Sequence, residues 1–134
     1  MSFKLSSLKA KTSAVPVVVL HPSVGELIDD KGNKVTLHIF GKASKQYRDY
    51  TEAQTDSYIA KQQAKVKSKP TGKTLLADRV KFIAAMTAKI EHLEAEDGSE
   101  LDNTTSLEEL YSNPEFHWLL EFAETALEDN ANFF

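Results

Sequence analysis

The sequence contains no cysteine. That excludes disulfides, thiol nucleophiles and thiolate metal ligands, and it fits a reducing compartment. Long apolar runs are missing too. The longest, Val15 to Leu20, falls far short of the roughly 20 residues that cross a bilayer. Met1 to Leu5 lacks the apolar stretch of a signal peptide, so a water-soluble, intracellular chain is expected. Positive charge is absent from one whole end, since no Lys or Arg follows Lys89. Residues 1–73 hold 13 Lys and Arg against 6 Asp and Glu, and residues 74–134 hold 3 against 14. Charge halves of +7 and -11 point to partners rather than to a fold. The 134 residues, 41% hydrophobic, suffice for one domain with a core of its own.

The local patterns predict an α+β fold. A loose basic arm is expected over 1–13 and a β region over 14–40. A helical region is expected over 44–129, and residues 130–134 form an apolar tail. Val15 to His21 is rich in β-branched residues and reads as a strand, with Pro16 near its start. Asp29 to Asn33 is turn chemistry. Lys34 to Phe40 alternates, with Val35, Leu37 and Ile39 on the inward face. A small antiparallel sheet of this kind is marginal alone and needs helices to cover it. Ser44 is placed to cap a helix over 45–68, which has no Gly or Pro and is stopped by Pro70 and Gly72.

A second helix is expected from about Thr74 to Leu93, on the stripe Leu76, Val80, Ile83, Thr87 and Ile90, widened by Leu75, Ala84 and Met86. Thr105 to Glu108 resembles a capping box for a short helix that ends near Tyr111. Asn113, Pro114 and Glu115 then read as cap, first-turn proline and first-turn acid of an acidic last helix reaching Glu128. Two long helices thus pack the sheet, followed by the short helix and the acidic C-terminal one. On the last helix Phe116, Leu119, Leu120, Ala123 and Leu127 share the core stripe. Trp118 and Phe122 form a second stripe, which is either more core or a pair of interface anchors.

Little in the sequence carries chemistry. The stretch Lys69 to Thr74 resembles the end of a phosphate loop, but Lys67 stands where the first glycine belongs. His21, His38, His92 and His117 lack metal-ligand spacing, and no serine sits in a nucleophile elbow. No enzyme activity, cofactor or metal is expected. Lys61, Lys65, Lys67 and Lys69 form a basic cluster, and Glu121, Glu124, Glu128 and Asp129 an acidic one. The two clusters suit head-to-tail self-association of copies, or neutralisation within one molecule. Nucleic acid is a weaker partner for the lysines, because the rest of the chain is acidic.

The stretch "DDKGNKVTLHIFGKASKQYRDY" resembles the start of the tail assembly chaperones of long-tailed bacteriophages. Asp30, Gly32, Val35 to Ile39, Gly41, Ser44, Tyr47 and Arg48 carry the likeness. "EDGSEL" and "SLEELYSNPEFHWLLEFAETALEDNANFF" extend it over residues 14–134. His92 and Leu93 stand where relatives often carry a tryptophan. The resemblance implies a non-enzymatic chaperone that binds the tape measure protein, keeps it soluble and helps the tail tube assemble. It implies work in the cytoplasm of the infected host and absence from the finished virion. A frameshifted longer form would recruit the tail tube protein. Trp118, Phe122, Phe133 and Phe134 are the expected client contacts. The rival expectations are a head–tail or tail-completion protein that stays in the virion, and a nucleic-acid binder using the basic helix.

Overall fold

The computed structural model describes residues 4–63, 72–95 and 98–134. The fold is α+β. Four short strands lead, at Val15–Val18 (β1), Leu20–His21 (β2), Gly25–Glu26 (β3) and Thr36–Ile39 (β4). Helices Lys45–Gln63 (α1) and Gly72–Met86 (α2) follow, then strands Thr87–Glu94 (β5) and Glu100–Leu101 (β6). Helices Thr104–Ser112 (α3) and His117–Glu128 (α4) complete the order. The main sheet is antiparallel in the order β1-β4-β5-β6, and β2 pairs with β3 in a small separate hairpin.

The alternation of the central strand is borne out. Val35, Leu37 and Ile39 are buried while Thr36 and His38 are half-exposed, so one face of β4 meets the core. Ile83, Met86, Leu107, Leu119 and Leu120 pack into that same core from α2, α3 and α4. The turn before β4 is held by Asp29, whose carboxylate accepts the backbone N–H groups of Lys31 and Asn33 at 2.9 and 2.8 Å. The Asn33 N–H, and then that of Lys31, hold this carboxyl below its ordinary range against the opposing effect of burial. Ser44 caps α1 as expected: its Oγ accepts the Tyr47 N–H at 3.1 Å and donates to the Gly41 carbonyl at 2.6 Å.

Four expectations are corrected. The segment from Val15 to His21 is not one strand: β1 pairs with β4, the Val19 N–H continues that register to the Val35 carbonyl at 3.0 Å, and Leu20–His21 then leaves to pair with β3. The helix expected to reach Leu93 ends at Met86, and Thr87–Glu94 is a strand. The physical reason is tertiary: β4 has a free edge that β5 fills, and the Phe40 N–H bonds the Met86 carbonyl at 2.7 Å. Leu76, expected to open the core stripe, and Leu75, expected to widen it, are both exposed. Finally, Asn103 and not Thr105 caps α3, through its side-chain oxygen and the Ser106 N–H at 2.9 Å.

The helix-to-strand junction has no loop, and one buried hydroxyl serves it. Thr87 Oγ1 lies 2.7 Å from the Ile83 carbonyl and 2.9 Å from the Tyr111 hydroxyl. The carbonyl can only accept, so Thr87 gives it its single proton and Tyr111 donates to Thr87. Burial pushes the Tyr111 phenol up to about 12. The unfolded chain therefore loses this proton first. Stability should be full below pH 10 and fall as pH rises toward 12, by about 2–3 kcal/mol at most. Urea titrations from pH 9 to 11.5 should show the decline in the native chain and a smaller one in Tyr111→Phe. Thr87→Val strands the phenol without an acceptor and should cost about 1–3 kcal/mol at neutral pH.

Candidate partner-binding surface

The aromatic residues singled out by the sequence do different jobs. Phe133 is only 5% exposed. Its carbonyl accepts the Lys11 N–H at 2.7 Å, and its ring occupies the space over Gly41, where an added Cβ would lie 2.5 Å from a ring carbon. Phe133, expected as a client contact, is thus buried in the single chain and clamps the C-terminal turn onto the body. Its neighbour Phe134 stays exposed. Phe122 is half-buried against the core.

Trp118 is half-buried in a different setting. Its ring meets His21 edge-on, with centroids 4.7 Å apart. His21 in turn holds the β2–β3 turn: its Nδ1 accepts the backbone N–H groups of Ser23 and Val24 at 3.1 and 3.3 Å. An accepting Nδ1 carries no proton, so the ring's proton is on Nε2. Between this hairpin, the sheet and α4 lies a groove of about 410 Å³, walled by Val19, Leu27, Leu93, Phe116, Trp118 and Leu119 among others. Leu20, Val24 and Ile28 are exposed on or beside the same hairpin. Exposed apolar side chains gathered on one hairpin beside an apolar groove mark an interaction site more often than a scattered leucine does.

A bulge shapes the groove. The register of β5 against β6 shifts between Ile90 and Glu94, and His92 takes a left-handed φ of 62°. Bulges re-aim side chains, and Leu93 here lines the Trp118 groove and a second one of about 340 Å³ beside α3. On the sheet surface next to the bulge, Glu91 lies 2.5 Å from His38 Nε2 and 3.3 Å from Lys89 Nζ. The His38 contact is close in distance but lacks hydrogen-bond alignment. Lys89, and then the charge of His38, hold the Glu91 carboxyl below its ordinary range.

The acidic cluster of the last helix is engaged inside the molecule. Arg79 grips Glu124 with two bonds of 2.9 and 2.6 Å. Lys42 meets Glu128 at 3.3 Å, His117 meets Glu121 at 3.0 Å as its spacing predicts, and Asp129 accepts the Ala131 N–H. The Lys61 side chain, and Lys65, Lys67 and Lys69 entirely, lie outside the described residues. Among the described residues no group of three or more His, Asp and Glu could hold a metal ion, and no helix is long and apolar enough to cross a membrane.

Periodicity could place Trp118 on the second stripe of its helix. It could not show that a hairpin from the other end of the chain supplies the opposite wall, or that a bulge turns Leu93 into it. No family model, curated protein or solved structure matches this chain.

Two predictions follow from this geometry. His21→Ala removes both the turn's acceptor and the edge contact of the single tryptophan. It should shift Trp118 emission to the red and cost about 1–2 kcal/mol in urea unfolding. Gly41→Ala drives a methyl into the Phe133 ring and should cost about 1–3 kcal/mol. The penalty should shrink in a Phe133→Leu background, a coupling that a double-mutant cycle measures directly.

Proposed function

We propose that this chain is a tail assembly chaperone of a long-tailed bacteriophage, holding the tape measure protein in a soluble state while the tail tube assembles. The observations that carry the reading are the apolar groove at Trp118 and the exposed Leu20, Val24 and Ile28 on or beside the hairpin that supplies one of its walls. A long helical client offers apolar stripes, and a chaperone needs an open apolar surface to receive them. The α1–α2 pair adds more of it, since Tyr58, Ile59, Leu75 and Leu76 are exposed. Low affinity per site suits the task, because several copies on one client sum their contacts.

In this reading the protein works in the host cytoplasm, leaves before the virion is finished, and uses no cofactor. The charge arrangement favours a protein client over nucleic acid. Lys34, Lys42, Lys45, Arg79 and Lys89 each lie within 3.7 Å of a carboxylate, which competes with phosphate for them.

Co-expression with the tape measure protein encoded in the same phage genome tests the proposal. The client should remain in the soluble fraction and co-purify. Leu20→Asp with Val24→Asp places charge on the exposed patch and should sharply reduce the captured client. Unfolding free energy should change by no more than about 0.5 kcal/mol, as for surface positions. A client that precipitates equally with and without the chain would reject the assignment, as would this protein in purified virions.

A further inference from the structure

We infer that the second groove, beside α3, receives the basic N-terminal segment of another copy of this chain. The groove is apolar within and acidic at its rim. Leu93, Leu101, Leu110 and Phe116 line it, and Glu94 and Glu109 border it, around a volume of about 340 Å³. Glu94, Glu100, Asp102, Glu108 and Glu109 have no cationic partner among the described residues. The carboxylates of α4, by contrast, are engaged by Arg79 and Lys42.

The segment "KLSSLKAK", residues 4–11, has the complementary chemistry. It contains no acid, and Leu5 and Leu8 are 85% and 53% exposed on a single turn of helix. Lys9 and Lys11 are exposed beside them. Two leucines with flanking cations are what an apolar groove with an acidic rim recognises, by burial inside and Coulomb attraction at the edge.

Topology argues for a second copy. The segment is anchored at the β1 edge by the Lys11 N–H bond to Phe133, whereas the groove opens beside β5 and β6 at the other end of the order β1-β4-β5-β6. A molecule fills its own groove only by releasing that anchor. A contact between unlike surfaces at opposite edges is head-to-tail, so it propagates from copy to copy. The inference rests on the several copies that the chaperone reading places together but needs no client.

The test is therefore run on the full-length chain without client, by sedimentation velocity across concentrations. Leu5→Asp with Leu8→Asp disables the segment, and Glu94→Lys with Glu109→Lys disables the groove. Each variant alone should be monomeric, with self-association weakened about tenfold or more. Mixed together, they retain one good segment and one good groove. They should form a dimer that grows no further. Lys9→Glu with Lys11→Glu should restore association to the Glu94→Lys, Glu109→Lys chain. A native chain that is monomeric at all concentrations would overturn the inference, as would variants that associate like the native chain. If the groove variant keeps its native mass distribution yet loses client capture, the groove belongs to the client and the segment exchange is rejected. Native client capture by variants that remain monomeric leaves the chaperone reading intact while separating it from self-association.

Discussion

The architecture depends on how α2 ends. A helix leaves its last carbonyls without intrahelical donors, and here the chain turns at once into a strand with no loop to satisfy them. Thr87 donates its hydroxyl to the Ile83 carbonyl, and the Phe40 N–H bonds the Met86 carbonyl, so two carbonyls of the last turn find donors at the junction itself. The second bond is also where β4 meets β5. The same groups that finish the helix therefore start the strand pairing that completes the sheet. Tyr111 adds α3 to the junction through Thr87. A sheet, two helices and the segment between them thus share one small polar network inside an apolar core, where each unmade bond is expensive.

This explains what was legible in the sequence and what was not. The alternation of Val35, Leu37 and Ile39 announces β4 because one face is buried and the other is not. Asn113 followed by Pro114 announces a helical start, and the Asn113 side chain accepts the Glu115 N–H, but what it caps is a 3-10 turn over Pro114–Phe116, and α4 itself begins only at His117. Strand β5 is different. Thr87 and Ile90 are three apart, which continues a helical stripe, and the left-handed His92 spoils the two-residue period that would reveal a strand. What selects the strand is the open edge of β4, a partner distant in sequence. The groove was hidden for the same reason. Trp118 is visible as an aromatic on a second stripe, but His21 reaches it from a hairpin near the other end of the chain. Phe133 looked available only because its destination, Gly41, is likewise remote.

The charge asymmetry also changes meaning once folded. Read along the chain, the acidic second half seems a single surface. In the fold it divides. Arg79 and Lys42 neutralise Glu124 and Glu128 on α4, and such pairs fix geometry more than they add stability. The carboxylates around α3 and β6 receive no such partners among the described residues. The α3–β6 edge therefore keeps a local attraction for basic segments. It falls off within about 10 Å at ordinary salt, so only a segment that docks there feels its full effect.

The sheet edges bear on how this protein meets others. An unpaired strand edge recruits partners by backbone hydrogen bonding, and it does so with little selectivity. Both ends of this sheet are blunted against that. The β1 edge carries Pro16, which has no N–H to offer, and β6 at the opposite end is only two residues long. The exposed apolar side chains lie elsewhere, at the β2–β3 hairpin, at the far end of the α1–α2 pair and on the N-terminal segment. Recognition is thereby moved from the backbone to side chains, where shape and charge decide the partner. Leu93 and Phe116 line both grooves, so an occupant of one presses on the wall of the other. Under the proposed chaperone reading, side-chain recognition at adjoining grooves would hold a client and a neighbouring copy without exposing a strand on which either could aggregate.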